Sequence, residues 1–301
     1  MSISQAPVRA PGQAASDTPG QADWPAGIAL MTGTATSVQF GAALAAQAFP
    51  ALGPVGVVAI RQWVASAVLL GTTRPPVTTF TRRQWRPVLA LALVYAVMNL
   101  SLYVAIQRIG LGLAVTLEFL GPLSVALLAS RRAIDLGCAI VAGAAVVVLG
   151  RPTPTTDYLG IAIALLAAAG WAGYILGNRA IAGCFAVPAQ GTAVASTLSA
   201  MLYLPLGIWI LATHDLTPGA LGRAAAAGLL CSVVPMVADP QALRRVPTLF
   251  YSVFVSINPV LAAIIGLLVL HQSLGVADWL AIAAIAAADV VSMATRQGPA
   301  K

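Results

Sequence analysis

Charge is what this chain has least of. Only 8% of its 301 residues are charged, where a soluble domain carries roughly a quarter. There is one lysine, Lys301, and one glutamate, Glu118. Such scarcity excludes a water-soluble globule. It also excludes reading the formal charge of +7 as a nucleic-acid footprint, because basic residues in a membrane chain mark its cytoplasmic loops. The three cysteines, Cys138, Cys184 and Cys231, lie in or beside separate apolar segments with no pairing or ligand spacing, so they read as small packing residues. The two histidines, His214 and His271, fall in loops or at helix ends, which leaves no metal cluster and implies no cofactor. No GxSxG or HExxH motif marks an enzyme, and no GxxxxGK[ST] loop marks an ATP-driven machine. Residues 1–24 lack the apolar core of a signal peptide and read as a disordered cytoplasmic tail.

What the chain has is apolar length, with 59% hydrophobic residues. About 20 apolar residues span a bilayer as a helix. Ten such segments follow one another, at 25–47, 54–73, 87–107, 109–130, 133–150, 158–177, 188–212, 220–237, 248–270 and 276–295. With the N-terminus inside, twelve Lys and Arg residues fall on the cytoplasmic side and three, Arg108, Arg151 and Arg223, on the other. That asymmetry places both termini in the cytoplasm.

The two halves carry a weak internal repeat. An offset of 137 aligns Ala105 with Ala242, Arg108 with Arg245, Pro122 with Pro259 and Ala126 with Ala263. Five spans per half is an odd number, so the second half is inverted in the membrane. The expected fold is therefore an all-α membrane protein of ten transmembrane helices, arranged as two inverted five-helix repeats. The repeats cover 25–150 and 151–296, and a short cytoplasmic tail covers 297–301. Inverted repeats with interrupted helices form transport sites at their midplane interface. The matched prolines, Pro122 and Pro259, are the expected gating positions. Each cannot donate to the carbonyl four residues earlier and so kinks its span.

Glu118 sits near mid-depth in its span, where a carboxylate is costly and usually faces a polar cavity or a partner. Glu118 is about ten residues from the outer face and Arg61 about eight, which at ~1.5 Å per residue puts them almost level. The pair is either a structural ion pair or a substrate-binding one. Asn99 and Asn258 also fall near mid-span, as substrate contacts or as interhelical hydrogen bonds. Tyr95, Asn99 and Tyr103 share one helix face. Trp171 and Tyr174 share another, and so do Ser252 and Ser256. The aromatic residues suit either packing or the site wall. Asp289, near the cytoplasmic end of the last span, is a second candidate for proton coupling beside Glu118.

Several stretches carry a family resemblance: AVTLEFLGPLSVALLASRR at 114–132, GWAGYILGNRA at 170–180, and ALRRVPTLF at 242–250 with the INP step after it. They resemble the EamA-type drug/metabolite transporter superfamily and, within it, the threonine and homoserine exporters. The resemblance implies ten helices in two inverted repeats in a bacterial inner membrane. It also implies efflux of amino acids or similar metabolites from the cytoplasm, in many relatives in exchange for protons. Relatives often carry an acidic residue just after the ninth span, where this chain reads His271-Gln272.

The chemistry follows from the zwitterion. Both of its charges need matching to cross hydrocarbon. Arg61 offers a fork of donors to a carboxylate. Glu118, or carbonyls freed by Pro122 and Pro259, offers acceptors to an ammonium, and Asn99 and Asn258 can read a side-chain hydroxyl. The partners implied are a small-molecule substrate, protons and the lipid bilayer. An exporter of drugs or other metabolites is the alternative, and nothing in the sequence sets the number of subunits.

Overall fold

The computed structural model of the protein describes residues 24–128, 157–213, 217–243 and 257–296, with single positions at 137, 140, 141, 144, 145, 245, 246 and 254. The rest of the expected fifth span at 133–150, His214, Ser252, Ser256, most of the first half of span nine, residues 1–23 and the expected tail at 297–301 lie outside the described residues. Among those described, the structure is helical with no strand. Helix α1 covers Trp24–Gln47, α2 Phe49–Thr73 and α3 Arg82–Ile109. Helix α4 covers Leu111–Glu118 and α5 Leu120–Leu128. Next come α6 (Tyr158–Ala182), α7 (Pro188–Leu202), α8 (Leu204–Thr213), α9 (Pro218–Gly228) and α10 (Val234–Leu243). Helices α11 (Asn258–Leu270) and α12 (Val276–Arg296) close the order.

Helices α1, α2, α3 and α6 are each long and apolar enough to cross a membrane, and α7 with α8 passes the same test as a pair bent by 45°. Large apolar side chains such as Leu89, Leu93, Leu166, Ile208 and Leu268 point outward. An apolar outer face is what hydrocarbon contact requires.

Local chemistry sets the helix ends. Thr81 and Gln84 form a reciprocal capping box at the start of α3. The Asp157 side chain accepts from Gly160 N at 2.8 Å and caps α6. Gly110, at φ +86°, turns the chain from α3 into α4. The expected second span begins at Pro54, but α2 starts five residues earlier. Gly53, at φ +62°, interrupts it just before Pro54.

Besides span four, divided between α4 and α5, spans seven and eight are not single straight helices. Span seven bends at Tyr203, because Pro205 in the next turn cannot donate to a preceding carbonyl. Tyr203 is held there by its hydroxyl, which donates to the Ala96 carbonyl. Span eight contains a π-helical turn at Leu229–Val233, between α9 and α10. Pro235, just beyond it, has no N–H for the Leu230 carbonyl five residues earlier in the π pattern, and Ser37 Oγ donates to that carbonyl at 2.9 Å.

Small residues bring helices into contact. A Cβ on Gly112 of α4 would lie 2.9 Å from the Ala263 Cα of α11, so the two backbones nearly touch. Gly170, Gly173 and Gly177 present α6 to Met98, Val94 and Leu91 of α3 in the same way. Polar side chains join α2 to α7: Gln62 Nε2 donates to Ser199 Oγ at 2.9 Å, and Ser66 Oγ to Thr197 Oγ1 at 2.8 Å.

Candidate functional site

The expected break in span four falls where the acid is. Helix α4 ends at Glu118, Phe119 forms a turn, and α5 starts at Leu120 with Pro122 in its first turn. Residue 122 has no N–H for the Glu118 carbonyl, and the next bond, Leu123 N to Phe119 O, is stretched to 3.5 Å. Pro259 takes the matching place in the first turn of α11, directly after Asn258. Both interrupted elements meet at the crossing of α4 and α11.

Glu118 is buried and faces a cavity of about 410 Å³. A second lobe of about 540 Å³ shares Arg61, Leu102, Glu118, Trp171, Tyr174 and Cys231 with the first. The first lobe is bordered by Tyr103 and Asn258, the second by Tyr95 and Asn99. All eight expected substrate residues thus line these two adjoining lobes, supplied by α2, α3, α4, α6 and α11.

The polar contacts sort their roles. Arg61 Nη1 donates to Asn99 Oδ1 at 2.6 Å, and Asn99 Nδ2 donates to the Tyr95 carbonyl at 2.8 Å. The Arg61 guanidinium also stands 5.2 Å from the centre of the Tyr103 ring, within cation–π range. Arg61 and Glu118 make no ion pair within 4.0 Å; among the described residues that contact joins only Arg108 and Asp157, at 2.8 Å. Asn258 Oδ1 accepts from Gln39 Nε2 at 3.2 Å. Trp171 meets Phe119 edge to face at 4.6 Å, and Tyr95 meets Tyr174 at 5.5 Å, so the aromatic residues pack and line the cavity at once.

Asp289 lies in α12, and its side chain is outside the described part of the structure. Cys231 departs from plain packing: its thiol donates to the Val38 carbonyl at 3.2 Å and borders both lobes. Thr34, Gln39 and Phe119 also line the cavity without having been singled out in the sequence. Gln39, polar and mid-span, was legible by the same rule as Asn99. Phe119 and Cys231 carry no such signal, because apolar residues in an apolar run all look alike.

At the far end of α3, Arg108 and the Gly160 N–H hold the Asp157 carboxyl below its ordinary range. Nearby, Gln272 Oε1 accepts from Leu111 N at 2.9 Å and caps α4. A neutral amide thus closes this helix end.

Residues 158–293 match the EamA-like transporter family. The chain is 33% identical over 271 residues to the threonine/homoserine exporter RhtA of Escherichia coli, covering 89% of this chain and 91% of that one. It is 36% identical over 271 residues to the threonine/homoserine exporter RhtA of Salmonella typhimurium, covering 86% and 88%. One crystal structure shares the fold, with a TM-score of 0.61 at 17% identity over 91% of this chain and 99% of its own. With a buried cavity lined by a basic and an acidic side chain among membrane-length helices, and with 33–36% identity to these exporters over most of its length, the chain belongs to the EamA-like transporter family.

Proposed function

We propose that this protein exports amino acids of the threonine and homoserine kind, or closely related metabolites, from the bacterial cytoplasm in exchange for protons. One observation carries the reading. Arg61, a base, and Glu118, an acid, line one buried cavity, yet they form no ion pair with each other. A zwitterion supplies the missing partner to each. Its carboxylate takes the Arg61 donors that Asn99 leaves, and its ammonium takes Glu118. The C-terminal end of α4 and the carbonyl that Pro122 cannot use add negative potential at the ammonium. The relatives named as threonine/homoserine exporters support the same substrate class.

Transport follows as alternating access. Glu118 takes a proton from outside and gives it up inside as the ammonium binds. The inverted repeats, 25–150 and 151–296, rock about Pro122 and Pro259. Ten spans in the inner membrane with both termini cytoplasmic fit the Arg and Lys asymmetry. The lobe bordered by Ala189 and Thr192 at the start of α7 reaches toward the end that this asymmetry assigns to the cytoplasm. Gln272 and the Arg108–Asp157 pair tie helices together at the opposite end. That arrangement suits loading from inside.

A second reading, an exporter of drugs or other metabolites, is favoured by the aromatic wall of Phe119, Trp171, Tyr95 and Tyr174. Efflux of labelled threonine and homoserine from proteoliposomes, with and without an imposed proton gradient, tests the proposal. Gradient-stimulated flux of either supports it. Flux of neither, with efflux of apolar cations in their place, moves the assignment to the second reading.

A further inference from the structure

Four buried side-chain atoms among the described residues have no hydrogen-bond partner: Thr34 Oγ1, Gln39 Oε1, Arg61 Nε and Tyr103 OH. All four belong to residues lining the 410 Å³ lobe. Leaving a buried polar atom unpaired is costly, and proteins keep few of them. Because the four residues converge on one cavity, a molecule bound there can complete their bonding. Arg61 answers to the carboxylate already assigned, and the Tyr103 ring stands beside its guanidinium. Thr34 and Gln39, both on α1, are left over.

Thr34 and Gln39 are only 8% and 3% exposed. Gln39 is oriented by its amide nitrogen, which donates to Asn258 Oδ1 at 3.2 Å. That bond leaves Oε1 as the free acceptor. The asparagines expected to read a side-chain hydroxyl are both engaged with protein: Asn99 between Arg61 and the Tyr95 carbonyl, Asn258 with Gln39. Thr34 and Gln39 are neutral, so an ammonium goes to Glu118 in preference to them. A hydroxyl both donates and accepts. It can give its proton to Gln39 Oε1 and accept one from Thr34 Oγ1.

We propose that Thr34 and Gln39 form a subsite for the side-chain hydroxyl of a hydroxy amino acid and set the preference for hydroxylated over deoxy substrates. The inference rests on the amino-acid reading above. A site built to hydrogen-bond a hydroxyl rejects the analogue lacking it, because its own polar groups are then left unpaired. Asn258 acts through Gln39, as a positioning residue.

The test compares threonine, homoserine and 2-aminobutyrate, the deoxy analogue of both, by efflux from proteoliposomes containing the full chain. The wild type prefers the hydroxylated substrates by at least about tenfold, and Thr34→Val or Gln39→Leu cuts that preference about three- to tenfold. Thr34→Ser keeps a hydroxyl and keeps the preference. If either removal lowers the export of all three equally, or leaves the preference intact, the subsite is wrong. If the wild type does not discriminate, it is also wrong. A wild type that moves none of the three overturns the amino-acid reading itself, and that failure is seen before any variant is made. Should a variant not reach the membrane, direct binding of the three ligands to purified Thr34→Ser and wild-type protein still decides: loss of the preference in Thr34→Ser overturns the proposal.

Discussion

Asn99 braces Arg61. The guanidinium donates through Nη1 to Asn99 Oδ1 at 2.6 Å, and the asparagine is itself tied to the Tyr95 carbonyl one turn back. A flexible cation in α2 is thereby held in one direction by α3, with its Nε free of protein partners.

This brace makes Arg61 testable as a carboxylate reader. Lysine keeps the charge and loses the planar fork, so Arg61→Lys should raise KM for the amino acid about tenfold. An amidated analogue, with no carboxylate, should lose less. Asn99→Leu should move KM in the same direction by releasing the guanidinium. Equal losses for both ligands would make Arg61 a structural partner only.

Glu118 carries the proton in the proposed cycle. Glutamine keeps the shape and cannot titrate, so Glu118→Gln should abolish substrate-driven proton flux while retaining counterflow exchange. Glu118→Asp should retain coupling with a shifted pH profile. Proton flux in proteoliposomes reads both. Intact, pH-dependent coupling in Glu118→Gln would transfer the role to Asp289.

The matched prolines should govern rate more than insertion. Alanine at Pro122 or Pro259 restores a backbone donor in the first turn after each break and favours a straight helix. Membrane levels should stay normal while export slows. Wild-type rates in both variants, measured at equal protein level, would remove the gating role.

The crossing of α4 and α11 tolerates no side chain at Gly112. A Cβ there would sit 2.9 Å from the Ala263 Cα, a backbone atom that cannot step aside. Gly112→Ala should cost about 1–3 kcal/mol in thermal unfolding in detergent, as overpacking does. Gly33→Ala, where a Cβ meets nothing within 4 Å, should cost nothing.

Asp157 gives a pH dependence of known sign. Its folded pKa lies below the ordinary value of 3.8, held there by Arg108 and the Gly160 N–H. The stabilisation is therefore present above the unfolded value and is lost as pH falls through the lower folded one. Melting curves from neutral pH down to about 3 should show this acid loss in the wild type. Asp157→Asn should flatten it, and salt should weaken it because the pair is exposed.

The most legible residues were those that break a local rule. A charge or an amide inside an apolar run announces itself, and so Arg61, Asn99, Glu118 and Asn258 were found one by one. Pro122 marked the interruption of span four because a missing N–H acts on its own helix. Pro205 and Pro235 carried the same signal, and they show up as the bend at Tyr203 and the π turn before α10.

Composition and charge alone determined the class of this protein: apolar runs of membrane length, basic residues sorted to alternate loops, and acids too few for a soluble surface. These are sums over local properties, and a sequence displays them directly. Which polar residue faces which partner was decided only by tertiary structure. Arg61 could have paired with Glu118, yet it pairs with Asn99, and Gln39 turns its amide nitrogen to Asn258, which leaves Oε1 without a protein partner. Those choices depend on how closely helices distant in sequence approach, and that distance is set by small residues such as Gly112 and Gly170 on their contact faces.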